Sequence, residues 1–363
     1  MRIILIILLV IFLSSNTKAQ KKSLRKYLLS IPVVDGIAGF GGHVNSKTDK
    51  SIGAPNFDED DQGLSVKERT FINITSINVN NDESYFDRVL NYFDKKCKGL
   101  IVIHNAEDID KSINEDLFGI IFYTQKHFPL GDDINNIDRW YDKGLRIFQV
   151  HYGPQDPTNQ TESERLGHSD FEKGGLTKLG KKAVEHLFNL NMIVDVSHCN
   201  EQTIIETSEL AVKNGVPILG NHTAAISAKN KSKVMCKNLR LWSDKSILAV
   251  AKTGGVIGVM LYPGWLSCEP TYRKKYTKYA NLEQVIAHID YIVKLVGVEH
   301  VGIGSDGYLD GTTAYDTYGD GKIDSPERFY FIAKELRKRG YSLDDVSKIL
   351  GGNFLRVYRQ VLK

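Results

Sequence analysis

Short apolar runs that end at polar residues alternate along this chain with segments of helical periodicity. The runs are rich in β-branched and aliphatic residues, which is typical of strands buried on both faces of a parallel sheet. Eight such strands predict a (β/α)8 TIM-type barrel, and the alternative is an open doubly wound sheet, for which the chain offers no glycine-rich phosphate loop. A ninth run, 99–109, leaves the strand count open. The eight runs begin at residues 31, 71, 118, 145, 192, 216, 254 and 300.

Residues 192–223 contain two of these runs, and the two have the same design. The first ends at His198, the second ends at His222, and the helical segment between them ends at Gly215, a typical helix C-terminus. Strand, helix and strand within about thirty residues predict a βαβ unit with parallel strands. Both histidines then lie at the edge where barrels place their chemistry, and such a pair is suited to zinc. A lone histidine in a loop more often only forms a hydrogen bond.

Polar residues follow other strands as well, and a barrel brings them to one rim. In a zinc hydrolase, His198 and His222 are the nitrogen ligands, Asp306 is the general acid or base, and His151 donates to the developing oxyanion. Gln125 is the candidate third ligand, but its neutral amide oxygen binds metal less well than a carboxylate, so we expect one weakly held ion. The six rim residues are Asp35, Gln125, His151, His198, His222 and Asp306.

Residues 1–19 have the pattern of a cleaved secretory signal peptide. Their apolar run, residues 3–13, is too short to cross a bilayer, so we expect an exported protein, periplasmic or secreted, with no stable membrane span. Residues 20–363 are predicted to form a single barrel domain. Removal of Arg2 and Lys18 lowers the formal net charge from +3 to +1, and no block of like charge favours nucleic acid as a partner.

Three further features give weaker signals. Residues 316–327 contain acidic residues at calcium-loop offsets, but Tyr318 occupies a ligand position and no helix precedes them, so a plain turn is favoured. Two long polar connections, 36–70 and 152–175, leave the rim face and are predicted to shape or cover a site. The cysteines show neither metal nor redox spacing, and their disulfide pairing is left open. They are Cys97, Cys199, Cys236 and Cys268.

From near residue 30 to the C-terminus, the chain contains a series of long strings in a specific order. They are GLTKLGKKAVEHLFNLNMIVDVSH, PILGNHT, KNLRLWSD, GGVIGVMLYPGWL, HIDYIVKLVGVEHVGIGSD and ILGGNFLRV. Together they resemble the membrane (renal) dipeptidase family of zinc metallopeptidases, within the amidohydrolase-like barrels. The resemblance implies a (β/α)8 barrel with two zinc ions, which cleaves dipeptides whose free carboxylate is recognised near the site.

Several of the family's functional residues have counterparts here. The resemblance implies that His198 and His222 hold one zinc, that His151 contacts the substrate and the tetrahedral intermediate, and that Asp306 transfers protons. The arginine that engages the substrate carboxylate corresponds to Lys237, which keeps the charge but loses the bidentate fork.

The other zinc site departs from the family pattern. The first strand of the family ends Asp-Gly-His-Asn-Asp, whose histidine and last aspartate hold the second zinc. Here residues 35–39 read Asp-Gly-Ile-Ala-Gly, so both ligands are absent. The glutamate that bridges the metals falls on or beside Gln125, and His43 is a candidate substitute ligand. We therefore expect zinc as the cofactor, with one ion rather than two.

These observations predict an exported metallo-dipeptidase-like hydrolase that cleaves dipeptides or related small amides with a zinc-activated water. Its partner is then a dipeptide or another small molecule. One alternative is a catalytically inactive homologue that binds a small peptide or metabolite. The other is a hydrolase whose substrate has shifted to an ester, a lactone or a modified dipeptide.

Overall fold

The computed structural model describes most of the chain but leaves out several of the predicted positions. The signal peptide, His43, Lys237 and three of the four cysteines lie outside the described residues. The described residues are 22–39, 65–79, 83–96, 99–125, 130, 133–152, 166–168, 174–225, 241–262, 266, 281–311 and 320–363.

Strands and helices alternate along the described chain, as the hydrophobic pattern predicts. The strands are β1 (Val34–Asp35), β2 (Ala38–Gly39), β3 (Ile74–Asn78), β4 (Leu100–Val102), β5 (Phe118–Thr124), β6 (Leu145–Gln149), β7 (Ile193–Asp195), β8 (Leu219–Ala225), β9 (Leu241–Trp242), β10 (Val256–Val259), β11 (Val301–Ile303) and β12 (Gly307–Tyr308). The helices are α1 (22–30), α2 (Val66–Thr70), α3 (Glu83–Lys96), α4 (Ala106–Asn114), α5 (Asn136–Asp142), α6 (Lys178–Asn189), α7 (Glu201–Asn214), α8 (Asp244–Lys252), α9 (Leu282–Val296), α10 (Arg328–Lys338), α11 (Leu343–Ser347) and α12 (Asn353–Val361).

The eight predicted strands form one parallel sheet, and the (β/α)8 barrel is confirmed. Their order is β1–β3–β5–β6–β7–β8–β10–β11. The ends of this order meet where Gly36 N donates to Ile303 O at 2.8 Å, which joins β1 to β11. The ninth apolar run contains β4, an extra strand that pairs with the first residues of β5, followed by α4. It therefore adds to the sheet without changing the barrel order.

The predicted βαβ unit consists of β7, α7 and β8. Asn200 caps α7 by accepting a hydrogen bond from Thr203 N, and Gly215 ends the helix with a φ of 66°, a left-handed conformation that glycine adopts without strain. Strands β7 and β8 are parallel, with Asp195 opposite Leu219. In one respect the prediction was wrong: β8 does not end at His222, because its next residues, as far as Ala225, continue the strand to pair with β9.

An apolar plug fills the amino end of the barrel. Phe354 and Tyr358 of α12 are fully buried in one cluster with residues that begin the strands, such as Val34 and Leu219. Glycine makes room for them, since a Cβ at Gly302 would lie 2.3 Å from the Phe354 ring. With this end closed by hydrocarbon, the polar residues of the interior are left at the carboxyl end.

Two further sequence features are described in part. Every helix that the structure describes is too short or too polar to span a bilayer. In the acidic run, Asp320 Oδ1 accepts from Lys322 N at 3.1 Å and from Ile323 N at 3.3 Å, and Gly321 N donates to Asp324 Oδ1 at 2.8 Å. These bonds are those of a turn, as predicted, while residues 316–319 lie outside the described residues.

Candidate active site

His198 and His222 meet inside the carboxyl end of the barrel. Their Nε2 atoms are 2.8 Å apart and their ring centroids are 4.9 Å apart. The residues are 7% and 2% exposed, so the contact is shielded from bulk water. At this distance one ring donates a hydrogen bond to the other. The structure therefore brings together the two residues that the sequence predicts as ligands.

Gln125 follows β5 and is the third group at this contact. Its Nε2 lies 3.4 Å from His222 Nε2, and its Oε1 accepts from Asn78 Nδ2 at 2.6 Å. The oxygen and nitrogen of an amide exchange places when the group rotates by half a turn. Asn78 Oδ1 is buried and has no hydrogen-bond partner among the described residues. If both amides rotate, Gln125 therefore donates to Asn78 Oδ1 and turns its own oxygen towards His222.

The donor chemistry of these three side chains fits a single metal ion. Two nitrogen ligands at about 2.0–2.1 Å from a tetrahedral zinc lie about 3.3 Å apart, so the observed 2.8 Å needs to widen by about 0.5 Å. Within the described part of the chain, no group of three or more His, Cys, Asp or Glu side chains is arranged to hold a metal. The two histidines and the Gln125 amide are the candidate ligands that the sequence predicts.

Two of the candidate residues have a strained backbone. His198 has a φ of 67° and Asp306 a φ of 53°, and only three other non-glycine residues in the described ranges have a positive φ. Residues other than glycine and asparagine rarely adopt this region of φ. Such backbone strain is concentrated at functional sites. Asp306 follows β11, and its N–H donates to Ile37 O at 3.1 Å.

His151 lies two residues after β6 and is fully buried. Its carbonyl oxygen accepts from Gln149 Nε2 at 2.6 Å. The next residue, Tyr152, packs its ring on His198 with a centroid distance of 4.7 Å. The segment after β6 therefore contacts the histidine pair, as the predicted rim requires.

Asp195, the last residue of β7, is the centre of a buried hydrogen-bond network that the sequence analysis missed. Its Oδ1 accepts from Ser197 N, Ser197 Oγ and Asn221 N at 2.9, 2.7 and 2.9 Å, and its Oδ2 accepts from the Tyr123 hydroxyl at 2.7 Å. Burial raises the pKa of Tyr123 well above its ordinary value, and the Asp195 charge acts in the same direction, so the hydroxyl keeps its proton. The one feature of the sequence that could have indicated this network is that Asp195 is a single acidic residue inside an apolar run.

Asp35 has a different role from the one its position predicts. It ends β1, is fully buried, and its Oδ2 lies 3.1 Å from Nη2 of Arg328, which is also buried. Its Oδ1 accepts from Ser305 N at 2.7 Å. Burial raises the pKa of Asp35, and the Arg328 guanidinium acts against this rise. Its carboxylate therefore stabilises the fold beside the rim and does not line it.

The segment after β1 is apolar and packed. Ile37 and Ala38 are 6% and 1% exposed. Strand β2 pairs with β12, so that Gly39 lies opposite Tyr308, and a Cβ at Gly39 would lie 2.7 Å from the Tyr308 ring. The positions where the resemblance implies metal ligands are therefore part of the packing.

Two further histidines lie on helices, and Cys199 directly follows His198. His186 Nε2 is 3.0 Å from Asp138 Oδ2 on the outer helices, and His288 is buried in α9. Cys199 is a buried free thiol whose pKa is raised well above its usual value by burial. A raised pKa keeps the thiol protonated and poorly nucleophilic.

The fold and the site define a class of proteins, the parallel (β/α)8 barrels that hold a buried histidine pair at the carboxyl ends of their strands. Within that class, the model of the membrane dipeptidase family (peptidase family M19) matches residues 64–363. The chain belongs to this family, which confirms the resemblance seen in the sequence.

Known relatives agree with this assignment. Human Dipeptidase 3 is 28% identical over 264 residues, which cover 73% of this chain and 49% of that protein. The chain spans about half the length of the curated relatives that it matches. The structure of the probable dipeptidase PvdM from Pseudomonas aeruginosa has a TM-score of 0.70 at 20% identity and covers 95% of this chain and 99% of that one. A metallopeptidase from Rhodobacter sphaeroides, liganded with a phosphinate mimic of the dipeptide L-Ala-D-Ala, has a TM-score of 0.70 at 16% identity, with coverages of 91% and 99%. The two structures share the fold.

Proposed function

We propose that this protein is an exported, metal-dependent hydrolase that cleaves dipeptides or related small amides. The observation that carries the proposal is the convergence of the His198 and His222 Nε2 atoms, with the Gln125 amide beside them, at the carboxyl end of the barrel. The description of its family, the name of the human relative and the dipeptide mimic in the Rhodobacter structure support the substrate class.

The metal that we propose is zinc, with one ion per chain. His198 Nε2 and His222 Nε2 would hold it, and Gln125 Oε1 would be the third protein ligand after rotation of the amide. When bound, zinc polarises a carbonyl group and activates a water molecule for attack. The low exposure of the three side chains strengthens electrostatic interactions here, because bulk water is excluded.

Other residues of the chain bind the substrate and move protons in this proposal. Asp306 accepts a proton from the attacking water and delivers it to the leaving amine. His151 donates a hydrogen bond to the carbonyl oxygen as negative charge develops on it. Lys237 attracts the free carboxylate of the dipeptide, as a point charge rather than a bidentate fork.

The proposed cellular location follows from residues 1–19. We propose that they are a signal peptide and that the mature chain, 20–363, is a single barrel domain with no stable membrane span. The family match over 64–363 is in keeping with a single domain. A dipeptide or a similar small molecule is the proposed partner, and nucleic acid is not.

The decisive experiment is elemental analysis of the freshly purified mature protein, combined with hydrolysis of a dipeptide panel. We expect about one zinc per chain in the wild type, loss of zinc in His198→Ala, and retention of zinc without turnover in Asp306→Asn. His186→Ala is the matched control, because its imidazole pairs with Asp138 away from the site. Undiminished turnover in both His198→Ala and Asp306→Asn would contradict the proposal.

A second candidate is a barrel that binds a small peptide or metabolite without cleaving it. The buried, apolar Ile37 and Ala38 favour this function, because they occupy the segment where the resemblance implies ligands of another zinc. In that case the metal-free protein binds its ligand as tightly as the zinc-loaded protein. Calorimetric titration of a non-hydrolysable dipeptide analogue into both forms distinguishes the two functions.

A further inference from the structure

We propose that Asp195 is a positioning residue, which sets the geometry of the His198 and His222 rings relative to each other. The inference rests on the proposed function in that it treats the two rings as a metal site. The hydrogen bonds of the Asp195 carboxylate go to Ser197, Asn221 and Tyr123 and to neither ring. Asp195 acts through the backbone on both sides of the site.

The hydrogen bonds of Asp195 go to the residues that directly precede the two histidines. Ser197 donates to Oδ1 through both its N–H and its hydroxyl, and Asn221 donates to the same oxygen through its N–H. One carboxylate oxygen therefore joins the turn after β7 to strand β8. A shift of either segment would break at least one of these bonds.

Ser197 provides a second connection between the two histidines. Its hydroxyl donates to Asp195 Oδ1 at 2.7 Å and accepts from His222 N at 3.1 Å. The side-chain hydroxyl of the residue before His198 is thus bonded directly to the peptide N–H of His222. This bonding is what a strained residue requires, because His198 with its φ of 67° persists only where the surrounding structure fixes it.

The other oxygen of Asp195 extends the network towards His151. Oδ2 accepts from the Tyr123 hydroxyl at 2.7 Å, and the same hydroxyl lies against Gln149 Oε1. Gln149 Nε2 then donates to the carbonyl of His151 at 2.6 Å. The network thus reaches the segments that carry all three histidines of the candidate site.

The chemistry of the network requires a carboxylate at this position. Oδ1 accepts three hydrogen bonds and Oδ2 accepts at least one, and an ionised carboxylate has about four acceptor sites, whereas an amide oxygen has two. Asp195 forms no salt bridge with any residue in the described ranges, so hydrogen bonds alone compensate for its burial there. Three of these hydrogen bonds come from the two residues that directly precede His198 and His222.

The test compares Asp195→Ala, Asp195→Asn and Ser197→Ala with Asn353→Ala as the matched control. Asn353 is also a buried polar residue, and it donates to Val298 O and Val301 O at the amino end of β11, away from the histidines. The first measurement is zinc affinity by competition with a chelator, well below the unfolding temperature. Loss of groups that orient metal ligands weakens binding about 10–100-fold, and we expect this range for Asp195→Ala. Asp195→Asn and Ser197→Ala should lose less, and Asn353→Ala should lose none.

The second measurement needs no metal. In the metal-free wild type, long-range 1H–15N correlation spectra should show one imidazole of the pair with a protonated Nε2 and the other with a bare Nε2, as the 2.8 Å contact requires. In Asp195→Ala the two rings should lose this distinction. If the wild type binds no zinc, the proposed function fails, but this spectrum still decides whether Asp195 positions the rings.

The proposal would be overturned if Asp195→Ala left the zinc affinity and the imidazole signals unchanged. This holds even if its melting temperature falls as far as that of Asn353→Ala. If Asp195→Ala does not fold, Ser197→Ala decides the matter, because it removes only the hydroxyl that joins Asp195 to His222 N. Wild-type zinc affinity and spectra in Ser197→Ala would then be the contradictory result.

Discussion

The ends of β7 and β1 have the same design but support different chemistry. Each strand finishes on a fully buried aspartate that accepts a backbone N–H from another strand or its following loop, Asn221 N for Asp195 and Ser305 N for Asp35. Asp195 is otherwise surrounded by hydroxyl and amide donors, whereas Asp35 is paired with the charged Arg328.

The residues that follow the two aspartates explain the difference. After β7 the chain presents an imidazole, His198, to its partner on β8. After β1 it presents Ile37, whose side chain is packed and whose carbonyl accepts from Asp306 N at 3.1 Å and from Ser305 Oγ at 3.3 Å. One strand end thus presents a side chain to the proposed metal site, and the other holds a proposed catalytic residue by its backbone. An apolar segment beside a site can therefore have a positioning role.

The largest effect that separates the two strand ends is expected from Arg328→Met. This change leaves the Asp35 carboxylate buried without its countercharge, and breaking a buried ion pair in this way costs about 3–5 kcal/mol of the free energy of unfolding. Urea denaturation measures the loss. Asp35→Asn combined with Arg328→Met should recover part of it, because the uncompensated charge is then gone.

Zinc affinity shows whether the effect of Arg328→Met is confined to the end of β1 or also reaches the histidine pair at the end of β7. We expect unchanged zinc binding, since the Arg328 guanidinium forms hydrogen bonds only with Asp35 and Leu309 O among the described residues. Arg146→Met is the matched control: Arg146 is buried and donates to carbonyl oxygens, so its loss leaves no carboxylate unpaired and should cost less. If Arg328→Met weakens zinc binding as much as Asp195→Ala does, the two strand ends are not independent.

The next prediction concerns Gln125→Glu, which changes a residue beside the histidine pair and leaves the end of β1 unchanged. A carboxylate is a better zinc ligand than a neutral amide and can still accept from Asn78 Nδ2. We expect zinc affinity to rise by at least about tenfold, or about 1.4 kcal/mol. Isothermal titration and the zinc-dependent rise in melting temperature both measure this gain.

The control for this change is Gln284→Glu. Gln284 closes the capping box at the start of α9, a position where glutamate serves equally well, so the control adds the same charge far from the site. Equal or weaker zinc binding in Gln125→Glu than in this control would show that the Gln125 side chain does not reach the metal. Of the three candidate ligands, only the two histidines would then remain.

The barrel and the histidine pair were predictable because both depend on local patterns. Buried parallel strands are continuous apolar runs, and a βαβ unit places the residues after its strands at one edge. The network around Asp195 was not predictable, since it depends on which polar side chain meets which backbone N–H across strands. The pairing of Arg328 with Asp35 could not be predicted from any pattern, because Arg328 begins a helix that is remote in sequence from Asp35.

The smallest predicted effect concerns how tightly the segment after β1 is held. A Cβ at Gly39 would lie 2.7 Å from Tyr308 Cδ1, so Gly39→Ala must displace the ring and should lower the free energy of unfolding by about 1 kcal/mol. Truncation of the ring in Tyr308→Ala should remove this penalty, giving a coupling of about 0.5 kcal/mol or more in a double-mutant cycle. Gly352→Ala is the milder comparison, because its Cβ would lie 3.3 Å from Ser347 O, a tight contact but a longer one than the 2.7 Å at Gly39. A neutral Gly39→Ala would mean that the segment can move away from β12, and the contrast with the fixed strand end at Asp195 would then be greater than the packing suggests.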